Sequence, residues 1–520
     1  MNAEPRKTNA RVPIMRNSAL NAAAGMAMLL TGFASSVVIA RLLGPEANGA
    51  IAFAVWLATT GGLVAELGTG VSLLRLLPQL HASGYDAEAR RGFGSWLARA
   101  VTFTTLMIAL GYGLFIWAAD DAHWLASAPQ ITIITAFLFI VQSIGSFSKN
   151  FLIGEQRLGT FFKISVVSAV LQLLVVALGA YFYGITGAIL GYLVGQLGLF
   201  GHTLKLLSNK PQNCGVELRG LINSSSIVIA EFIVTAIFLN RPEILFLQQL
   251  TDVETVGYYA IAISLANLAL QLPIQLSGSL MPYFASHRTA NGGEIPRGVF
   301  TTVVRNFALL AMPMSFGLAA VAQPLVVGIY GEPFATSGVI VAILALGAPA
   351  NVFLQLCTLY VFALDRPAIR LKVAIGGSVL LAGGSLLTIP YFGGEGAAIS
   401  RNIVFVLMCI YMVMNMRLAE GVSAMLLPVL RITAAASMTG MTAYLVAHTL
   451  GGLGGVVLAI VAGMLVYIPG LRVFGATTAE DGQLLGPVAN RAPRRLRPFV
   501  EAVLRYAIPK SAGPGSVKGA

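Results

Sequence analysis

The chain has 520 residues, 57% of them hydrophobic and only 10% charged. Soluble domains carry about 25% charged residues, so this composition excludes a water-soluble globular protein and a disordered one, and makes lipid the solvent for much of the surface. The net charge of +12 comes with no basic stripe interleaved with aromatics, which argues against nucleic acid; the cations are expected to mark the cytoplasmic side of a membrane.

A membrane-crossing helix takes about 20 mostly apolar residues, and about fourteen runs meet that length. In chain order they are 17–40, 50–75, 96–119, 129–150, 160–181, 184–206, 221–249, 256–280, 299–322, 336–363, 368–389, 395–416, 424–447 and 452–473. The first follows Arg6, Lys7, Arg11 and Arg16. It exceeds the about 7–15 residues of a signal-peptide core, so it reads as a retained helix.

With the N-terminus in the cytoplasm, every Lys and Arg except Arg41, Arg241 and Arg401 falls in the N-terminal arm, in an inner connection or the span ends beside it, or in the tail. Outer connections carry Asp120, Asp121, Asp252, Glu254, Glu332 and Glu395 instead. This bias sets orientation, and a miscounted span would scramble it. Both termini are therefore expected in the cytoplasm. No outer connection exceeds about ten residues, so no extracytoplasmic domain is expected. The inner loop 78–95 is polar, and 87–91 within it reads as a short surface helix.

In the tail, Leu496, Phe499, Val500, Val503 and Leu504 recur at helical spacing among Arg494, Arg495, Arg497 and Arg505. That pattern suits a basic amphipathic helix on the inner leaflet, or else a loosely ordered charged tail. Cys214, Cys357 and Cys409 show no metal or disulfide spacing. No phosphate-binding glycine loop ends in Gly-Lys-Ser/Thr. No cofactor is expected, and energy must come from an ion gradient, the membrane potential or the substrate's own gradient.

The three off-pattern arginines lie toward the outer ends of spans one, seven and twelve. They snorkel to headgroups or pair locally, with Glu46 near Arg41 and Glu243 near Arg241; or they face a cavity and attract an anion, for which a diphosphate suits the guanidinium fork. Glu66 in span two and Glu231 in span seven must be paired, hydrated or protonated, because a bare carboxylate is costly in hydrocarbon. Either binds a coupling cation or proton, or makes a structural hydrogen bond to a neighbouring helix. Asn240, Gln248, Asn267, Gln271, Gln275, Asn351 and Gln355 could line a sugar-binding cavity or serve as interhelical contacts.

A weak internal echo links Arg41-Leu-Leu-Gly-Pro-Glu-Ala-Asn-Gly49, between spans one and two, with Leu250-Thr-Asp-Val-Glu-Thr-Val-Gly257, between spans seven and eight. Halves six spans apart share orientation, a common transporter plan.

The stretch Ala40-Arg-Leu-Leu-Gly-Pro-Glu-Ala-Asn-Gly49, with Ala65-Glu-Leu-Gly-Thr-Gly70, resembles the opening signature of polysaccharide biosynthesis (O-antigen-type) flippases. Arg241-Pro-Glu-Ile-Leu, Val256-Gly-Tyr-Tyr-Ala260, Leu272-Pro273 and Leu280-Met-Pro-Tyr-Phe284 resemble the same family's second-half signature. The family belongs to the multidrug/oligosaccharidyl-lipid/polysaccharide exporter superfamily. The resemblance implies an all-α membrane protein with two six-helix lobes around a central cavity and two added helices. That divides the chain into a cytoplasmic arm 1–16, an N-terminal lobe 17–215, a C-terminal lobe 216–420, added helices 421–474 and a basic tail 475–520. It implies alternating access and an undecaprenyl-diphosphate-linked glycan as substrate, with no universal catalytic motif. Arg41 and Glu243 match signature positions, whereas Arg401 matches none clearly.

The expected function is translocation of a polyprenyl-diphosphate-linked oligosaccharide to the outer face of the inner membrane, for lipopolysaccharide or exopolysaccharide synthesis. Arg41, Arg241 and Arg401, with Asn240, Gln271 and Gln275, are the expected substrate-binding residues. Glu66, Glu231 and Glu243 are the ion-coupling candidates. Expected partners are the lipid-linked oligosaccharide, membrane lipid, a coupling cation or proton, and a polysaccharide polymerase and export complex. The rivals are a peptidoglycan-precursor or drug exporter of the same superfamily, and a membrane polysaccharide polymerase or ligase, which would need a sizeable outer loop.

Overall fold

The structure is a computed structural model and describes residues 11–66, 68–118, 128–215, 226, 230–277, 280–292, 294–416 and 421–477. The expected amphipathic helix of the tail lies outside these residues. Among them every regular element is a helix. The elements are α1 (Arg11–Glu66), α2 (Thr69–Ala82), α3 (Ala87–Ala118), α4 (Pro129–Gly154), α5 (Leu158–Leu207), α6 (Glu243–Leu250), α7 (Val253–Ala269), α8 (Gln271–Ser277), α9 (Leu280–Ala290), α10 (Val299–Tyr330), α11 (Ala335–Ala363), α12 (Pro367–Asn415), α13 (Val422–Leu450) and α14 (Gly452–Val473).

Three of these are far too long for one crossing. At 1.5 Å per residue, α1 would run about 84 Å against a hydrocarbon core of about 30 Å. Each is two spans joined at one glycine: Gly44 (φ 80°) followed by Pro45 in α1, Gly184 (φ 58°) in α5 and Gly393 (φ 51°) in α12. These dihedrals are open to glycine and strained for other residues, so the chain reverses there without leaving helical hydrogen bonding for long. Span eight is α7 and α8, bent by 51° at their junction. Span seven is helical over 230–238, turns at 239–242 and leads into α6. With α3, α4, α10, α11, α13 and α14 as single crossings, the described residues of spans one to fourteen fall on helix apart from the turn in span seven, the bend in span eight and a break after Glu66 in span two, and most of 221–229 lies outside the described residues.

The inner loop expected at 78–95 is mostly helix. α2 continues through Pro78 to Ala82, and 87–91 is the first turn of α3 rather than a separate surface helix. Asp86 explains the start: its Oδ1 accepts the Ala89 N–H at 2.7 Å, an N-cap bond. Arg90 then clamps the corner, donating from Nε to Glu155 Oε1 at 2.7 Å and also to Tyr85 O.

The described residues fall into two compact units, Met1–Ile261 with Ala374–Ala397, and Ala262–Val373 with Ala398–Ala520. In the first, Ile39, Ala54, Ala58, Phe139, Val176 and Ile189 join α1, α4 and α5 in one core. A second core stacks Leu73 and Leu77 of α2 on Phe93, Phe147 and Phe151. In the other unit, Val321 of α10 packs against Ala443, Ala447, Val456 and Ala459 of α13 and α14. Interior contacts use small residues because membrane helices associate by close packing. A Cβ at Gly179 would collide with the carbonyl of Gly187 across the α5 hairpin. Other large apolar side chains point outward, with Leu178 59% and Leu387 72% exposed, as lipid solvent allows.

Candidate functional site

The first unit holds a buried carboxylate at a helix break. α1 stops at Glu66, Gly68 is left-handed (φ 73°), and α2 opens at Thr69. Thr69 donates its hydroxyl to Glu66 O at 2.7 Å, which ties the break together. The Glu66 side chain is buried. Ser146 Oγ donates to its Oε1, and Asn150 Nδ2 donates to its Oε2 at 3.3 Å. A Cβ at Gly70 would collide with Asn150 Nδ2, so only glycine lets α2 press this close.

The donors belong to a longer polar face. Gln142, Ser146 and Asn150 recur every four residues along α4 and so share one side of it. Gln142 Nε2 donates to Thr59 Oγ1 at 2.8 Å, two turns before Glu66. A polar track thus runs between the second arm of α1 and α4 inside an apolar bundle. It satisfies the carboxylate with neutral donors, an arrangement that can hold a proton or a small cation without a fixed counter-ion in contact.

The two echo segments meet in the same unit. Asn48 Nδ2 donates to Gly257 O at 3.1 Å. Side chains would be impossible here: a Cβ on Gly49 would collide with Val253 O, and one on Gly257 with Pro45 O. Asp252 caps the start of α7, its Oδ1 accepting Thr255 N–H at 2.7 Å, and these bonds hold its carboxyl below the usual range. Arg41 and Glu46 lie exposed beside this contact along the chain. Arg241 takes a left-handed backbone (φ 62°) in the turn before α6, and Glu243 at the first turn of α6 is fully buried.

The second unit holds a small polar cavity of about 30 Å³, lined by Asn267, Asn351, Arg401, Asn402 and Phe405 together with apolar residues. That volume is room for about one water or a single ligand oxygen. The Arg401 guanidinium stacks over the Phe405 ring at 4.6 Å. Asn402 donates to Ile343 O, and Gly347 makes space for it, since a Cβ there would collide with the amide. The lining contains a guanidinium and amides but no carboxylate, so it favours an anionic or hydroxylated group.

The structure therefore brings Arg401 together with Asn267 and Asn351, and gives Glu66 its own donors. None of the remaining expected residues is among those that line the Arg401 cavity. Glu231 accepts a bond from Thr235 Oγ1 at 2.9 Å within its own helix. Asn240 is exposed in the turn before α6, Gln271 is half-buried at the α7–α8 bend, and Gln275 is exposed. Sequence reasoning missed Gln142, Ser146, Asn150 and Asn402. A four-residue polar period in an otherwise apolar span was the available signal for the first three. It also counted Arg305 and Arg370 only as inner-region cations; both are buried, 8% exposed, in the second turn of α10 and the first turn of α12.

Several solved structures share this fold. The lipid II flippase MurJ in an inward closed conformation is 15% identical over 88% of this chain and 98% of its own, with a TM-score of 0.66. An inward-facing multidrug resistance MATE family transporter of the MOP superfamily is 12% identical over 80% of this chain and 98% of its own, with a TM-score of 0.55. The Vibrio cholerae MATE transporter VcmN is 12% identical over 78% and 95%, with a TM-score of 0.52. The fold is that of a multi-pass all-α transporter. No curated protein matches the chain in sequence. The family described as polysaccharide biosynthesis protein matches residues 38–338, which include the Pro45–Gly49 and Val253–Gly257 contact and the Glu66 track; the chain belongs to this family.

Proposed function

We propose that the protein is a flippase that carries a polyprenyl-diphosphate-linked oligosaccharide from the cytoplasmic to the outer face of the inner membrane, by alternating access. The observation that carries this reading is the match to a polysaccharide biosynthesis family on a fold shared with a lipid II flippase. The chemistry of the sites supports it. Arg401, with Asn267, Asn351 and Asn402, offers a cation and amides to phosphate oxygens and sugar hydroxyls. Arg41 and Arg241 supply further positive charge for the diphosphate. Glu66, held by Ser146 and Asn150, is the leading site for a coupling proton or cation, with Glu231 and Glu243 as the alternatives. In this reading both termini face the cytoplasm, the product feeds lipopolysaccharide or exopolysaccharide synthesis, and a polymerase and export complex act downstream.

The test is a clean deletion with analysis of lipid-linked glycans on each membrane face. Accumulation on the inner face supports the proposal, and an unchanged distribution removes it. A second reading, export of the peptidoglycan precursor, is favoured by the fold shared with the lipid II flippase. It predicts that the chain rescues a strain depleted of its own lipid II flippase. The Arg401 cavity, lined by one guanidinium and no carboxylate, argues against a drug cation as the load.

A further inference from the structure

The α5 hairpin carries a groove that none of the sites above uses. It is open to the lipid side, has a cavity volume of about 330 Å³, and lies between the two arms of α5, with Lys163 on its rim. Ile164, Val167 and Leu171 form one wall and Leu197 part of the other, with Gly198 between them. Val167, Leu171 and Leu197 are 58%, 45% and 43% exposed, so the walls are apolar surface suited to contact with lipid. Gly198 keeps the groove deep: a Cβ there would sit 2.8 Å from Ser168 Oγ and 3.0 Å from Ile164 Cγ2.

The position of the groove along the bilayer is set by the hairpin. Both ends of α5 lie on one face, because the chain reverses at Gly184. That face carries Arg157, Lys163, Lys205 and Lys210. The reversal end carries Tyr181, Phe182 and Tyr183, 72%, 67% and 76% exposed, which is the composition of an interfacial aromatic belt. Lys163 is about 8 Å from the start of α5, at headgroup depth. From Lys163 to Leu171 the groove then runs about 12 Å into the hydrocarbon.

We propose that this groove is a binding site for an anionic phospholipid, whose phosphate pairs with Lys163 and one of whose acyl chains lies along Val167, Leu171 and Leu197. Charge and shape select it together: a cation at headgroup depth above an apolar channel matches a phosphate ester above a hydrocarbon chain. A zwitterionic lipid fills the channel equally well but gains less from the lysine. The site is separate from the transport reading, and its test does not measure transport.

The full chain is reconstituted in nanodiscs of equimolar phosphatidylglycerol and phosphatidylethanolamine, extracted gently, and weighed by native mass spectrometry to count retained lipids. The wild type is expected to retain phosphatidylglycerol about five-fold over phosphatidylethanolamine, the factor one lysine supplies near a membrane surface. Lys163→Gln should bring that ratio to about one. Val167→Trp, at an exposed position that tolerates bulk, should lower retention of both lipids by filling the channel. Equal retention by the wild type, or an unchanged preference in Lys163→Gln, overturns the site. Displacement of phosphatidylglycerol by equimolar undecaprenyl phosphate overturns the phospholipid as its occupant.

Discussion

Asn48 and Gly257 lie 209 residues apart in sequence, and the amide of one donates to the carbonyl of the other at 3.1 Å. The contact joins two chain segments of similar sequence, each leading into a span, and it relies on bare backbone at Gly49 and Gly257. Gly49→Val cannot keep this contact, because the new side chain occupies the place of Val253 O. The expected outcome is separation of the two segments, read as increased labelling by a membrane-impermeant thiol reagent at a cysteine introduced at Ala47. Asn48→Ala removes one hydrogen bond of about 1 kcal/mol and should give a smaller increase in the same assay.

Glu66 should separate charge from fold. Glu66→Gln keeps the shape of the side chain, accepts from Ser146 with its amide oxygen and donates to Asn150 Oδ1 once that amide turns over, so protein level should stay near wild type while flux driven by an ion gradient falls at least about ten-fold. Glu66→Ala leaves Asn150 Nδ2 without its acceptor, at about 1–3 kcal/mol, while Ser146 keeps its bond to Ser143 O at 2.8 Å, and should lower the unfolding midpoint as well. Equal gradient-driven flux in Glu66→Gln and wild type would assign the coupling to another group.

Arg401 is expected to act by geometry as well as charge. Arg401→Lys keeps the charge but loses the planar fork and its stacking over Phe405. Glycan export should therefore fall in Arg401→Lys and fall further in Arg401→Gln, at equal protein level. Gly347→Val should mimic them in part by pushing Asn402 out of place. Normal export in Arg401→Gln would remove this residue from the substrate path.

Asp252 predicts an acid-side stability effect. Its carboxyl is held low by the Thr255 bonds, so the folded state binds its proton less readily than the unfolded one. The stabilisation is full above the ordinary carboxylate range near pH 4 and is lost as pH falls through the lowered value. As an exposed helix cap it is worth at most about 1 kcal/mol. Asp252→Ala should lower the unfolding midpoint slightly at pH 6, and the difference should shrink as pH falls below the ordinary carboxylate range.

The fold was legible where lipid dictates it. Apolar runs of span length and the one-sided Lys and Arg placement gave the helices and the bundle, because no polar backbone survives unpaired in hydrocarbon. The local breaks were less visible. Pro78 reads as a stop but sits inside α2, where the membrane helix absorbs it, and 87–91 reads as separate until Arg90 is seen paired with Glu155. Of the sites, Glu66 and Arg401 stood out as charges in apolar runs. Their partners did not, because Ser146, Asn150 and Asn402 are ordinary polar residues whose meaning depends on which helix faces them.

The most direct measurement is transfer across a sealed bilayer. Purified protein is placed in vesicles that hold a fluorescent polyprenyl-diphosphate oligosaccharide in one leaflet, and a membrane-impermeant quencher reports arrival in the other. The account predicts transfer that the wild type supports and Arg401→Gln loses. Transfer no faster than in protein-free vesicles, under an imposed proton or sodium gradient of either sign, would contradict it.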